Sequence, residues 1–200
     1  GIFGGPSNAS AQTDAFSRPF YKTINRYSAN FALTADLCLG LLAGDIKRKE
    51  MLSGRLADIH SHLFIATAIL KFYEKGQRSE VEQQHAQLAL EKAFVQIQDA
   101  FDGLFANFPM RAAACVVKFI CFPFGRVAQQ PSDQLKTQLG RAIMENNPFR
   151  EQLKQHVFYN TDPDDVFGRM ENAFQAVLKI DHLWTKFKKV ESKGQFEGLD

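Results

Sequence analysis

Asp58, His60 and His62 come closest in this sequence to a set of metal ligands. A zinc-binding helix presents histidines at i and i+4, because each residue turns the chain by about 100° and only that spacing keeps both rings on one face. At i and i+2, His60 and His62 point to opposite sides, so no metal site is expected. Cys115 and Cys121 stand within one apolar run, as small buried hydrophobes do. With Cys38 they make three cysteines and no C-x-x-C, which argues against a disulfide framework and suits a reducing cytoplasm. No G-x-S-x-G occurs, and no Ser or Cys stands near a His and an acid in a nucleophile's spacing. Asp164 and Asp165 are paired carboxylates, but a helix start accounts for both. Gly1, Gly4 and Gly5 lack the preceding strand and the following Gly-Lys of a phosphate loop. No catalytic residue is assigned.

Two features could bind rather than react. Lys47-Arg48-Lys49, with Arg55 beyond, could meet a phosphate or an anionic lipid; as a charge run it also reads as a solvated helix start. The stretch from Ala112 to Phe124 is nearly all apolar and only 13 residues long. That is well short of the ~20 needed to cross a bilayer. It either plugs a bundle as a buried central helix or lies on a membrane or partner surface. In the second case Arg111, Lys118 and Arg126 would reach lipid phosphates beside Val116, Phe119 and Phe122. These six residues are the candidate contact set.

The elements that must position them are helical. Phe20, Ile24, Tyr27, Phe31, Thr34, Cys38 and Leu41 alternate steps of four and three. Leu52, Leu56, Ile59, Leu63, Ala66, Leu70 and Tyr73 repeat the rhythm, as do Leu90, Phe94, Ile97, Phe101, Leu104 and Phe108. Three long helices are predicted, roughly over 14–43, 46–75 and 79–108. Gly44 is expected to end the first in a left-handed turn, and Gly76 the second. Ser79 and Glu82 form a capping box for the third, and Pro109 stops it. Connections this short force antiparallel neighbours. Beyond Pro109 come shorter helices: Leu135, Leu139 and Ile143 share one face, and Phe149, Leu153 and Val157 follow Pro148. Asp162-Pro163 is expected to open the last helix as N-cap and first residue, with Phe167, Met170, Phe174 and Val177 as its buried stripe.

The fold expected is all-α, an antiparallel up-down helical bundle of three long helices plus shorter C-terminal helices. Its divisions are a lead-in over 1–13, a core over 14–108, further helices packed on the same domain over 109–185, and a polar tail over 186–200. The opening residues lack a basic region followed by an apolar stretch, so no signal peptide is expected. A hydrophobic share of 45% against 23% charged excludes wholesale disorder. A net charge of +2 gives no footprint for nucleic acid. Nineteen phenylalanines against four tyrosines and one tryptophan point to packing rather than to polar-tipped surfaces.

Short motifs then recur in a telling order. N-R-Y-S-A-N-F-A-L from Asn25, D-I-K-R-K-E from Asp45, S-G-R-L-A-D-I from Ser53 and A-I-L-K from Ala68 precede N-F-P-M-R from Asn107. F-P-F-G-R from Phe122 and P-S-D-Q-L from Pro131 follow. Over roughly residues 20–180 the chain resembles the C-terminal helical region of the large bacterial acyl-CoA dehydrogenases of fatty-acid β-oxidation. The resemblance implies a parent enzyme in which FAD takes a hydride from the β-carbon while a glutamate removes the α-proton, giving the trans-2-enoyl-CoA. That glutamate belongs to a segment before the region matched, and no glutamate precedes Glu50 here. The family's β-rich middle domain has no counterpart either.

The chain is therefore expected to be the enzyme's non-catalytic C-terminal domain, inactive alone, with FAD in the parent and none bound to this chain. It would serve assembly or membrane association. Its expected partners are the dehydrogenase core of the same polypeptide, a second copy in a homodimer, and a membrane surface touched peripherally. Its expected place is the bacterial cytoplasm, at the periphery of the inner membrane. The alternative is a free-standing helical interaction module without enzyme activity.

Overall fold

Residues 14–192 are described by a computed structural model. Among them are seven α-helices, one 3-10 turn and no strand, so the all-α expectation is met. Three long helices come first: α1 (Ser17–Leu42), α2 (Glu50–Lys75) and α3 (Glu80–Asn107). The shorter α4 (Arg111–Cys121), α5 (Asp133–Ile143) and α6 (Pro148–Lys154) follow, then the long α7 (Val166–Glu191).

The apolar seams of α1 to α3 meet as their periodicity requires. Phe16, ahead of α1, lies 4.9 Å from Tyr73 at the end of α2, so these two helices run antiparallel. Arg55 near the start of α2 abuts Gly103 near the end of α3, so that pair is antiparallel too. Phe20 stacks on Phe94 and Tyr27 on Phe101, seven residues on in each helix, which makes α1 and α3 parallel. Ile59, Leu70, Leu90, Ile97, Phe101 and Leu104 are fully enclosed. Each side chain of this size stabilises the fold by about 1.5–3 kcal/mol on burial.

The breaks between helices only partly follow expectation. Ser79 accepts from the Glu82 N–H while the Glu82 carboxylate accepts from the Ser79 N–H, the reciprocal cap foreseen for α3. Pro109 follows the last residues of α3 closely. At the end of α1, however, Ala43 rather than Gly44 takes the positive φ, at 44°, and a 3-10 turn runs from Ala43 to Arg48. After α2, Gly76 is extended and Arg78 carries the positive φ, 56°. The expected seam of α1 also shifts at its end, with Leu42 buried and Leu41 exposed. With its following turn, α1 is the one segment among the described residues long and apolar enough to cross a membrane, a property shared with core helices of bundles.

The described chain divides into two compact units after Leu139. Within the first unit, α4 joins the three-helix core through Ala114, Val117, Cys121 and Phe122. In the second unit, α6 lies on α7 through Arg150 and Lys154, which both reach Glu171 at 2.9 and 3.4 Å. Arg150 also stacks over the Phe174 ring.

The N-cap of α7 is Asp165, which accepts from the Phe167 and Gly168 N–H groups; Asp162 is spent on a turn, accepting from the Asp164 N–H. Pro163 therefore precedes the helix instead of opening it. The expected buried stripe of α7 is corrected as well. Phe167, Met170 and Val177 are exposed and Phe174 is half-buried, because α6 covers a different face. Helix α7 runs through Glu191, past residue 186. The lead-in over 1–13, with its glycines, lies outside the described residues.

Candidate functional site

Helix α4 starts just after Pro109 and lies at the surface of the first unit, fixed at its C-terminal end by α1. Asn30, buried on α1, donates its side-chain amide to the Cys121 carbonyl at 3.2 Å, and Arg26 reaches the same oxygen at 3.5 Å. A helix end leaves its last carbonyls without partners, so this is a cap supplied by another helix. The motif containing Asn30 thus holds the residue just before the motif that begins at Phe122, and its Tyr27 ring meets Phe122 itself. The Phe122 ring lies 5.2 Å from Phe101 and 6.2 Å from Tyr27. Below it, Tyr27 donates to Gln98, whose side-chain oxygen also accepts from the Val127 N–H. Burial pushes the Tyr27 hydroxyl up to about 12, so it is a fixed donor and not an acid at neutral pH.

The six candidate contact residues separate accordingly. Phe122 faces the core and is 4% exposed, so it leaves the contact set. Val116 and Phe119 face outward, 59% and 70% exposed, with Phe124 beyond them at 90%. The run is thus neither a central plug nor free: one side of α4 is core and the other an apolar surface.

The three cations are also placed. Arg126 pairs with Asp99 at 2.6 Å and Asp102 at 2.8 Å, and Lys118 reaches Asp102 at 3.4 Å. Arg111 donates back to the Ala106 carbonyl. Asn30, Gln98 and the two aspartates were not singled out in the sequence. Their signal was faint, a polar residue beside an apolar seam.

A second cleft lies where the start of α2 meets the end of α3. Arg48, Lys49 and Arg55 line it with Asn107 and Pro109. No ion pair among the described residues holds these three cations, although Glu50 lines the same cleft. Lys47 is exposed and is not part of its lining. His60 lies at 5.8 Å from the Phe31 ring on the outside of α2, and no group of three His, Cys, Asp or Glu among the described residues could hold a metal ion. Cys38 and Cys121 are buried, and burial pushes both thiols up.

The family model for the bacterial-type acyl-CoA dehydrogenase C-terminal domain matches residues 2–200. The chain belongs to that family. No solved structure matches it.

Acyl-CoA dehydrogenases are oxidoreductases that generally use FAD, so the C-terminal domain can be tested for a flavin site of its own. FAD needs a flat apolar slot for its ring system and cationic or N–H partners for its pyrophosphate. The cleft beside Tyr27, lined by Phe20, Phe94, Glu91 and Val127, has aromatic walls and no cation. The cleft at Arg48 and Arg55 has cations and no aromatic wall. Neither fits the whole cofactor, and no step of flavin chemistry is derived for this domain. A general base at an α-carbon works best with a carboxyl raised toward neutrality. Glu171 is moved the other way: the Arg150 guanidinium, with Gln175 and Lys154 beside it, lowers it to about 2.

Proposed function

We propose that this domain is a non-catalytic part of an FAD-dependent enzyme converting fatty acyl-CoA to trans-2-enoyl-CoA in fatty-acid β-oxidation. In this reading it holds the dehydrogenase core of the same polypeptide at the cytoplasmic face of the bacterial inner membrane. The observation that carries the membrane part is the outer side of α4, where Val116 and Phe119 stand exposed about one turn apart, with Phe124 exposed beyond the helix end. The long-chain substrates of such an enzyme partition into membranes, and a peripheral contact would place it where they are.

The chemistry of that contact follows from the ion pairs. Lys118 and Arg126 face Asp99 and Asp102, two positive charges against two negative ones. Attraction to anionic lipid, about 1 kcal/mol for each unpaired cation near a charged surface, is largely cancelled for these two and left to Arg111, which donates only to a neutral carbonyl. Insertion of the apolar side chains must then supply most of the binding. Co-sedimentation of the 200-residue chain with vesicles tests the reading. Pelleting with both neutral and anionic vesicles, weakly dependent on salt and reduced several-fold by Phe119→Asp, is the expected result. A folded chain that stays in the supernatant with both lipids removes the membrane role.

A further inference from the structure

Helix α7 carries a second apolar surface, and its pattern specifies what covers it. Val166, Met170, Ala173, Val177, Ile180, Trp184 and Phe187 follow one another by steps of four and three, the repeat of a helix that packs along another helix. Met170 is 65% exposed, and Val177, Ile180 and Trp184 are each more than half exposed. Helix α6 covers one flank of this stripe, through Glu171 and Phe174, which lie about 120° and about 60° round from Val177 at about 100° per residue. We propose that α7 pairs antiparallel with the same helix of a second copy of this chain, on a two-fold axis through Val177.

Size and charge both select this partner and this direction. About Val177, the antiparallel register sets Ala173 against Ile180, Met170 against Trp184 and Val166 against Phe187. Val177 meets itself at the axis, and each flanking layer joins a smaller residue to a larger one, as interdigitated packing requires. The ends match by charge as well. Asp162, Asp164 and Asp165 precede the helix, while Lys186, Lys188 and Lys189 stand near its end. The antiparallel pair brings the acids of one copy to the lysines of the other, with the helix dipoles opposed. A parallel pair would stack Trp184 on Trp184 and gather six lysines at one end. The stripe spans 21 residue steps, about 31 Å of helix.

Trp184 is the single tryptophan of the chain and lies in the proposed contact, so its emission reads the pairing directly. Sedimentation equilibrium of the 200-residue chain should give twice the monomer mass, with Trp184 emission moving to the blue as concentration rises. Val177→Glu places two like charges on the axis and should weaken pairing about tenfold or more. Far-UV circular dichroism should stay unchanged, since Val177 is exposed in the single chain. Direction is read by disulfide trapping in a Cys115→Ser background with copper phenanthroline as oxidant. Val177→Cys should link two copies. Met170→Cys should not, because its two sulfurs would lie about 21 Å apart along the axis.

A monomer at 100 µM (about the upper working concentration) with unshifted emission overturns the proposal. Trapping by both cysteines overturns it in favour of a parallel pair. A monomer whose emission moves only when vesicles are added assigns the stripe to lipid and overturns it too. Phe119→Asp should leave the mass unchanged, which separates this result from the vesicle experiment on α4.

Discussion

At the scale of single residues, the second unit rests on two contacts that can be broken cleanly. A Cβ added to Gly168 would lie 1.9 Å from the Asp162 carbonyl oxygen, a backbone atom that cannot swing aside. Gly168→Ala should therefore cost about 1–3 kcal/mol, read as a lower melting temperature and faster proteolysis between α6 and α7. Glu171 is the other contact. Its carboxyl is held at about 2, below the usual range near ~4.3, by Arg150 first and then by Gln175 and Lys154. A depressed carboxyl stabilises the fold fully above its unfolded value and loses that contribution as pH falls through the folded one. The helical signal of the wild type should thus decline between about pH 4 and pH 2 more steeply than that of Glu171→Gln. Equal slopes for the two proteins would show that the ion pair adds nothing.

At the scale of elements, the capping box of α3 predicts a measurable loss. Ser79→Ala should cost about 1 kcal/mol in urea denaturation by leaving the Glu82 N–H without its acceptor. This cap was legible in the sequence because it is local: Ser79 and Glu82 are three residues apart and need nothing else. The seams of α2 and α3 were legible for a related reason, since a period of 3.6 is written into the order of residues whatever lies opposite. What covers a face is not written there. Phe167, Met170, Phe174 and Val177 of α7 are spaced like part of a helix seam and read as buried, yet Phe167, Met170 and Val177 are open while Leu63 and Leu70 are enclosed. For α4, the flanking cations could be read from the sequence, but not their partners. Asp99 and Asp102 come from another helix, and only the fold brings them to Arg126. The start of α7 at Asp165 was missed because Asp162, Asp164 and Asp165 are all good caps, and the close approach of Gly168 to the Asp162 backbone decides among them.

At the scale of the whole molecule, the three-helix core sets the stability of the first unit, and Leu63 and Phe101 lie within it. Leu63→Ala or Phe101→Ala should each cost about 2–5 kcal/mol through lost burial and the cavity left behind, measured by thermal or urea unfolding. The chain supplied with palmitoyl-CoA, added FAD and an electron acceptor should give no enoyl product, as neither cleft fits the cofactor. Turnover that survives purification and is lost on changing one residue of this chain would overturn that expectation. The distribution of thiols has a practical consequence for following such a molecule at work. Cys115 is exposed on α4, whereas Cys38 and Cys121 are enclosed. A maleimide dye added to the folded chain should therefore label one position, on the helix whose outer side carries Val116 and Phe119. Any surface that settles over that helix will slow the labelling, and only unfolding will release the other two sulfurs, so one reagent times both events.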